Sequence, residues 1–126
     1  MSAVATSPLA IYQAHLLDGK LAYQYSVDAG KPVFYPREIC PYTGSSRLEW
    51  RFSAGLGTVY STTTVHVRNG APYNVSLVDC DEGFRLMTRI EGVDADQVRV
   101  GLRVKFAGAH DDDGEPYPVF CPAEAP

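Results

Sequence analysis

The cysteine with the clearest metal-ligand context is Cys40, which heads the turn sequence Cys-Pro-Tyr-Thr-Gly. Two thiolates on one tight turn, as in a Cys-Pro-x-Cys knuckle, can both reach a tetrahedral Zn²⁺ ion. Here Thr43 occupies the position of the second thiolate, and neither His15 nor His66 lies at a spacing that supplies another ligand. A lone thiolate cannot close a tetrahedral site, so the ligand count predicts that this turn binds no metal.

The best candidate for a catalytic residue is His66. In a strand it would share a face with Tyr60, Thr62 and Thr64, so that a hydroxyl nucleophile beside a base is conceivable. No glycine-flanked serine elbow or paired motif accompanies this histidine. An ordinary hydrogen-bonded strand histidine is therefore the favoured interpretation.

The other reactive side chains favour structural roles. Cys80 and Cys121 lie in strand-like segments, where small buried thiols are commoner than reactive ones. The acidic segment His-Asp-Asp-Asp-Gly-Glu lacks the alternating ligand spacing of a calcium loop, and it is predicted to be a solvated loop. We therefore expect no catalytic residue and no independent enzyme.

Five basic residues are candidates for a binding surface. They lie on the outward sides of two segments that could be neighbours in a barrel, and together they would form a basic stripe: Arg85, Arg89, Arg99, Arg103 and Lys105. Such a stripe could attract the phosphates of a nucleotide-like ligand, notably coenzyme A, or an acidic partner surface. The alternative is a solvated charged face, balanced by the acids Asp79, Asp81, Glu82 and Glu91.

Length, charge and cysteine content limit the classes of protein that fit. A chain of 126 residues fits one domain with a sizeable core. Its net charge of -4 argues against binding long stretches of nucleic acid, because that affinity comes mainly from neutralising phosphates. Three widely spaced cysteines, no secretory signal and no apolar run of membrane-spanning length predict a soluble, cytoplasmic protein with reduced thiols.

The N-terminal part predicts one helix and a small hairpin. Ser7 is a possible N-cap, Pro8 suits the first helical position and Gly19 follows the end, which predicts an amphipathic helix over 8–18. Its apolar stripe must cover either this domain or a partner chain, because so short a helix is marginal alone. Residues 21–47, broken by glycines and prolines, are predicted to form a short hairpin followed by a turn.

The rest of the chain alternates with a period of two, which is typical of strands. The pattern predicts a long strand over 58–67, a hairpin of 74–80 and 84–91, a strand over 98–106 and a last short strand from Tyr117. In the long strand the odd-numbered positions would share one face, and in 98–106 the even-numbered ones would be buried. About five strands in succession predict a small closed barrel such as an OB-fold, and an open sandwich is the alternative.

Four stretches resemble a known family in their order and spacing: GLGTVYSTTTVH, APYNVSLVDCDEGFRLMTRIEG, VRVGLRVKF and YPVFCPA. They are similar to the bacterial and archaeal family called domain of unknown function thirty-five. The resemblance implies a rubredoxin-like zinc ribbon joined to a C-terminal OB-fold. Members that keep the ribbon have a Cys-x-x-Cys pair on each side of a Phe-Pro-Pro-Arg segment. Here Cys40 alone remains, with Thr43 beside it and Tyr23 and Ser26 at the place of the first pair.

The resemblance therefore divides the chain into three parts. They are an N-terminal amphipathic helix at 1–20, a degenerate, metal-free zinc-ribbon-like segment at 21–47 and a five-stranded OB-fold domain at 48–126. Where zinc would organise the ribbon, aromatic packing is expected to hold the turn instead. The aromatic residues available for it are Tyr23, Tyr25, Phe34, Tyr35 and Trp50.

The resemblance also implies a function. Family members are associated with thiolases, hydroxymethylglutaryl-CoA synthase and thiolase-like acyltransferases or aldolases, as scaffolds that dock on the enzyme and help to enclose an acyl-CoA substrate. We expect a non-catalytic accessory subunit that docks on a thiolase-like enzyme, shares a coenzyme A thioester as ligand and has no cofactor of its own. Exposed apolar residues of the helix and of the ribbon remnant, including Tyr35 and Tyr42, are the expected docking surface.

The alternative function is an OB-fold that binds single-stranded nucleic acid. Such proteins interleave aromatic side chains with basic residues on the strands of a groove, and Tyr60 and Phe84 could stack bases in that role. The few aromatic residues of the central strands and the negative net charge argue against it. The accessory subunit is therefore the preferred hypothesis.

Overall fold

The computed structural model describes residues 7–112 and 115–123, and for residues 111 and 112 it describes the backbone alone. The first part of the predicted N-terminal segment, the tip of the acidic segment at 113–114 and the C-terminal residues 124–126 lie outside this description. The elements are, in chain order, α1 (Pro8–Leu17), β1 (Ala22–Ser26), β2 (Lys31–Val33), β3 (Leu48–Phe52), β4 (Leu56–Val65), β5 (Tyr73–Cys80), β6 (Arg85–Ile90), a 3₁₀ turn (Ala95–Gln97), β7 (Arg103–Asp112) and β8 (Glu115–Pro122).

The last five strands close into a barrel. Their order around the ring is β4-β5-β6-β8-β7, and β4 pairs with β7 to complete it. The barrel pairs are antiparallel except for β6 with β8, which run parallel. This architecture confirms the prediction of a mainly β protein with a five-stranded OB-fold, and the open-sandwich alternative is wrong.

Apolar residues from all five strands fill the barrel. Val59, Val78, Leu86, Val104 and Phe120 are each no more than 3% exposed, and each comes from a different strand. Burying one such side chain contributes roughly 1.5–3 kcal/mol, so this interior supplies the main driving force for closing the ring.

Beyond the last backbone pair of β5 and β6, polar side chains form the hydrogen bonds that join the two strands. Their backbone pairing begins at Ser76 with Thr88. On the far side of that pair, the buried Asn74 side chain donates to the carbonyl of Ile90 at 2.7 Å and accepts from the N–H of Ile90 at 2.9 Å. The Ser76 hydroxyl lies 2.8 Å from Asn74 Oδ1 and 2.9 Å from the Thr62 hydroxyl. One side chain therefore satisfies both backbone groups of Ile90.

Helix α1 forms as the sequence predicts and packs on its own domain. Ser7 Oγ accepts a hydrogen bond from the N–H of Ala10 at 3.1 Å, and Gly19, just past the C-terminal end, has a φ of 78°. Tyr12 and Leu16 are buried, and the helix contacts β1, β7 and β8. The apolar stripe therefore covers this domain. In the described ranges, no helix is long and apolar enough to cross a membrane.

A three-stranded antiparallel sheet precedes the barrel. Its order is β2-β1-β3, so β1 lies in the centre. The predicted hairpin corresponds to β1 and β2, which are joined through Gly30 at a φ of 68°. β3 stands at the start of the segment assigned to the OB-fold domain, and it pairs with β1 rather than with a barrel strand.

Aromatic rings join this sheet and α1 to the barrel. Phe84, between β5 and β6, stacks on Tyr23 of β1 with 4.7 Å between ring centroids, and on Phe34 with 5.0 Å. Phe34 in turn meets Tyr12 of α1 edge to face at 5.4 Å. Phe84 is therefore the barrel residue on which the N-terminal elements converge.

The face assignment of the long strand is wrong beyond Val59. The register with β5 shifts between Val59 and Ser61, which marks a β-bulge. Because side chains alternate, one extra residue moves all following side chains to the other face. Thr62 thus lies opposite the buried Ser76, on the interior face. His66 lies past the end of β4, so the strand face predicted for it does not form.

The predicted strand over 98–106 begins later, at Arg103. Gly101 adopts a φ of 93°, and the N–H of Leu102 donates to the carbonyl of Arg99, so a turn precedes the strand. Val100 is 69% exposed instead of buried. Arg99 is therefore not on a strand with Arg103, as the pattern had predicted.

The acidic segment is strand rather than loop in its described part. β7 runs to Asp112 and β8 starts at Glu115, with His110 opposite Tyr117 in the register. A register shift lies between Phe106 and Gly108, where Gly108 has a φ of 112°. That irregularity breaks the period of two, which is why the sequence pattern did not reveal the extension.

Candidate functional site: a groove with aromatic walls and two arginines

A groove opens where β6 and β8 separate. Their parallel pairing joins Arg89 with Val119 and Ile90 with Phe120, and the preceding residues of the two strands diverge. The groove has a volume of about 510 Å³, which is enough for a small organic ligand. Its lining includes Tyr12, Tyr35, Tyr73, Arg85, Met87, Arg89 and Tyr117.

One wall of the groove consists of packed aromatic rings. Tyr12 lies 6.1 Å from Tyr35 between centroids, and Phe34 lies 5.8 Å from Tyr35, in edge-to-face arrangements. Tyr12 is 3% exposed, and burial, followed by the neighbouring Tyr35, raises the pKa of its phenol far above the ordinary value. The phenol of Tyr12 therefore stays protonated even in alkaline solution, and the packed rings of this wall suit an apolar ligand group.

Arg89 is the cation best placed to bind an anion in the groove. Its guanidinium carbon lies 4.0 Å from the ring centroid of Tyr73 and 5.2 Å from that of Tyr117. Among the described residues, no carboxylate forms an ion pair with it. Stacking on the aromatic faces fixes the plane of the guanidinium and leaves its N–H donors at the edge for a ligand.

The structure brings four of the predicted site residues together. Tyr35, Arg85 and Arg89 line the groove, and Tyr60 stands beside them because the Arg85 guanidinium lies 3.5 Å from its ring centroid. Arg85 differs from Arg89 in that it also forms an ion pair with Asp79. Its charge is therefore partly balanced within the chain.

The predicted basic stripe does not form as one surface. β8 lies between β6 and β7, so the strands that carry it are not neighbours on that side. Asp79 pairs with Arg85, and Asp81 accepts hydrogen bonds from Arg103 at 2.8 and 2.9 Å. The hydrogen bonds from Arg103 also hold the pKa of the Asp81 carboxyl below its ordinary value. Arg99 lies in the turn before β7.

Three other predicted site residues lie outside the groove. Tyr42 is exposed, with the Lys31 ammonium 3.7 Å from its ring centroid. His66 is exposed in the loop after β4, and Lys105 is exposed on β7. None of the three lines the groove described here.

The sequence did not reveal most of the aromatic residues of the groove. Tyr12, Phe34, Tyr73 and Tyr117 come from four separate segments, and no local spacing connects them. The signal that could have found Tyr117 is the Pro-Tyr-Pro stretch, whose two prolines favour a strand edge. Tyr12, Phe34 and Tyr73 come together through the tertiary arrangement of their segments, which no local pattern records.

Cys40 lies beside Ser26 and Thr43, and all three residues occupy positions that are zinc ligands in the ribbon of the resembled family. The side chain of Cys40 is 1% exposed, its Sγ accepts from the N–H of Tyr42 at 3.3 Å, and the hydroxyls of Ser26 and Thr43 also bond to it. One thiolate with two hydroxyls does not fit the nitrogen and sulfur donors of a structural zinc site. The described part of the chain holds no group of three metal-binding side chains. That this segment is metal-free stays a prediction from this donor set.

The thiol of Cys40 makes the stability of the fold depend on pH. Burial alone would raise its pKa, but hydrogen bonds from Ser26, Thr43 and the backbone lower it from 9.0 to about 7. An acid with a depressed pKa in the folded state stabilises that state above its ordinary pKa. This contribution is lost as the pH falls through about 7.

We therefore expect the stability advantage of the wild type over Cys40→Ser to grow from below pH 7 to above pH 9. Urea unfolding of both proteins at several pH values measures it. Burial raises the pKa of Cys80 to about 12, but this thiol is present in both proteins, so its own pH dependence cancels in the difference. An advantage that stays constant over this range would contradict the expectation.

Comparison with known structures finds solved proteins that resemble nearly the whole chain. The chain has a TM-score of 0.80 and 29% identity to one described as Ltp2-ChsH2(DUF35) aldolase, over 98% of this chain and 100% of that one. A DUF35-family protein of unknown function from Sulfolobus solfataricus has a TM-score of 0.69 at 16% identity, over 95% of this chain and 89% of that one. The second likeness supports the fold alone.

Sequence comparison finds relatives that match this chain over part of their length. A probable enoyl-CoA hydratase alpha subunit from Thermomonospora curvata is 35% identical over 92 residues, which are 70% of this chain and 29% of that protein. DUF35 domain-containing scaffold proteins from Methanocaldococcus jannaschii and Methanothermobacter thermautotrophicus are 31% and 33% identical over 58% and 59% of this chain. The alignments cover 57% and 61% of those two, so the chain spans less than two thirds of these relatives.

A family model adds a match to the barrel itself. Residues 50–109 match the model described as the C-terminal OB-fold domain of ChsH2. DUF35 is the short form of domain of unknown function thirty-five, the family that the sequence motifs resemble. The family model, the scaffold relatives and the solved neighbours agree, and together they support a DUF35-family OB-fold protein.

Proposed function

We propose that the chain is a non-catalytic accessory subunit that docks on a thiolase-like enzyme in the cytoplasm and helps to bind its acyl-CoA substrate. The relatives named scaffold proteins, and the neighbour described as an aldolase, support an accessory role beside an enzyme. The relative named as an enoyl-CoA hydratase subunit supports coenzyme A thioesters as the substrate class.

The observation that carries the ligand part of the proposal is Arg89 in its groove. An acyl-CoA combines anionic phosphates with an aromatic adenine and an apolar acyl chain. Arg89 offers donors to a phosphate, while stacking on Tyr73 and Tyr117 fixes the plane of its guanidinium. The wall of packed aromatic rings around Tyr12 suits an apolar group.

Exposed apolar side chains at the mouth of the groove support the proposal that the chain docks on an enzyme. Tyr35 and Met87 both line the groove, and they are 53% and 65% exposed. Large apolar side chains around an open site favour a partner that covers them. A ligand in this groove would then be enclosed between two proteins, and the reacting carbon atoms would lie on the side of the enzyme.

The experiment has two steps, of which the first identifies the enzyme. A tagged chain purified from its host is expected to carry a thiolase-like enzyme in stoichiometric amount. Octanoyl-CoA is then titrated calorimetrically into that complex. Arg89→Gln is expected to bind it about tenfold more weakly, since a hydrogen bond to a charged group contributes roughly 1.5–3 kcal/mol.

Arg99→Gln is the matched control, because it removes the same charge from an exposed turn outside the groove. It should leave the affinity for octanoyl-CoA unchanged. Equal affinities for the wild type and Arg89→Gln would contradict the role of the groove. Recovery of nucleic acid without an enzyme, with tight binding of an oligothymidylate, would support the single-strand-binding alternative instead.

A further inference from the structure

The second edge of β3 carries no strand in the described part of the chain. β3 pairs with β1 along one side, and the hydrogen bonds that flank this pairing use the backbone of Arg47 and Ser53. Backbone groups of successive residues point to opposite sides of a strand. The even-numbered residues Leu48, Trp50 and Phe52 therefore direct their backbone groups away from β1. Such an edge is a template for pairing with another strand.

The sequence of this edge is complementary to itself. Counted outward from Trp50, the charged residues Glu49 and Arg51 lie on its two sides, and the apolar residues Leu48 and Phe52 lie beyond them. If a second copy pairs antiparallel about a two-fold axis at Trp50, each acid faces a base and each apolar residue faces an apolar one. In this arrangement the apolar side chains of both copies lie on one face of the sheet, and their opposite charges meet on the other.

The hydrogen-bond register agrees as well. With the axis at Trp50, the even-numbered residues form the hydrogen-bonded pairs, which use the backbone groups that point outward. The N–H of Leu48 already bonds the carbonyl of Ser46, but its own carbonyl remains available for the N–H of Phe52 in the second copy. Glu49 and Arg51 of the two copies then meet at non-hydrogen-bonded positions, where Cα atoms are about 4.5 Å apart and opposite charges stabilise the pair.

The charges of Glu49 and Arg51 favour this register over the two adjacent ones. A two-fold axis at Glu49 or at Arg51 would use the same outward backbone groups, but it would oppose two carboxylates or two guanidiniums. Edge strands that avoid pairing commonly present lysine or proline, whereas this one presents both signs. Within one chain Glu49 and Arg51 already form an exposed ion pair at 2.6 Å, so an exchange of partners buries no unpaired charge.

We propose that the free edge of β3 binds the same edge of a second copy of this chain. The two chains pair antiparallel about an axis at Trp50, and their three-stranded sheets join into one continuous sheet, as a two-fold symmetric interface requires. The ring of Phe52 is 54% exposed although His15 lies 5.1 Å and the Lys20 ammonium 5.5 Å from its centroid, and in the dimer it packs against Leu48 of the second copy. This proposal does not depend on the proposed function.

Sedimentation of the full chain over a wide concentration range tests the proposal. The wild type is expected to shift from 13.8 kDa towards twice that mass as its concentration rises. Glu49→Arg and Arg51→Glu each oppose like charges, and each should raise the dimer dissociation constant about tenfold or more. An equimolar mixture of the two variants should recover the dimer, because every contact between 49 and 51 then joins opposite charges.

Two further variants make the result specific. The double variant Glu49→Arg with Arg51→Glu should dimerise like the wild type, and Glu38→Arg, an exposed acid outside β3, should do so too. Circular dichroism verifies that each variant is folded. A wild type that stays monomeric throughout, or single variants that dimerise unchanged, would overturn the proposal. If the wild type is monomeric but Glu49→Arg no longer retains a co-purifying enzyme, the edge binds a strand of that enzyme.

Discussion

Asn74→Ala is expected to lower the free energy of unfolding by about 2–5 kcal/mol, although it removes only one small polar side chain. In the folded protein, Asn74 bonds both the N–H and the carbonyl of Ile90, and all of these groups are buried. Alanine leaves both backbone groups without a partner, and each unsatisfied buried group costs roughly 1–3 kcal/mol. The effect reaches further, because β8 pairs with β6 at the same residue.

Urea unfolding followed by far-ultraviolet circular dichroism measures the loss. Thr63→Ala is the matched control, since Thr63 is an exposed residue of the neighbouring strand β4 and its loss should cost less than about 1 kcal/mol. Equal destabilisation by the two changes would show that the Asn74 bonds contribute no more than strand propensity. The bonds to Ile90 would then have no special role in holding the barrel.

Phe84→Ala is expected to cost about 3–5 kcal/mol and to loosen the N-terminal elements from the barrel. Phe84 is stacked between Tyr23 and Phe34, so its removal leaves a cavity bounded by two rings from different segments. The barrel keeps its own interior, which includes Phe120 and Val78. The expected result is a protein whose small sheet opens more readily than its barrel.

Limited proteolysis with mass spectrometry of the fragments separates the two effects. In Phe84→Ala, cleavage should begin within residues 34–47 while the barrel strands resist. Met87→Ala is the matched control, because Met87 lies close by on β6 but is highly exposed, and its loss should leave the cleavage pattern unchanged. Cleavage that begins in the barrel strands would show that Phe84 supports the barrel and not its attachment to the sheet.

The elements that the sequence predicted correctly have local signals. Ser7, Pro8 and Gly19 mark the ends of α1 within one residue, because capping and turn preferences act over a few positions. The hairpin of β5 and β6 was found in the same way, since Gly83 turns between two alternating segments at a φ of 105°. The barrel could be inferred by counting such strands.

The elements that the sequence predicted wrongly contain irregularities that a periodic pattern cannot show. The bulge after Val59 reverses the faces of β4, and the one before Gly108 conceals the end of β7. Each is one residue in length, yet each inverts all the side chains that follow. A pattern with a period of two has no means of registering such an insertion.

The candidate groove was predictable in its charges and not in its shape. Arg85 and Arg89 stood out as exposed cations on a strand, and both line the groove. Their stacking on tyrosines and the separation of β6 from β8 depend on strand order, which joins segments far apart in the chain. Strand order is a tertiary property, so residue types alone placed Arg103 with Arg85 incorrectly.

The position of β8 between β6 and β7 has a consequence for how the chain folds during synthesis. The hairpin of β5 and β6 can form as soon as both strands are made, but the ring lacks a member until Phe120 reaches its place beside Ile90. Pairings between distant segments form slowly because loop entropy must be lost first, and such barrels commonly fold in milliseconds to seconds. Until then the inner faces of β4 to β7 are open to water, and a chain emerging from the ribosome depends on the last strand to protect them.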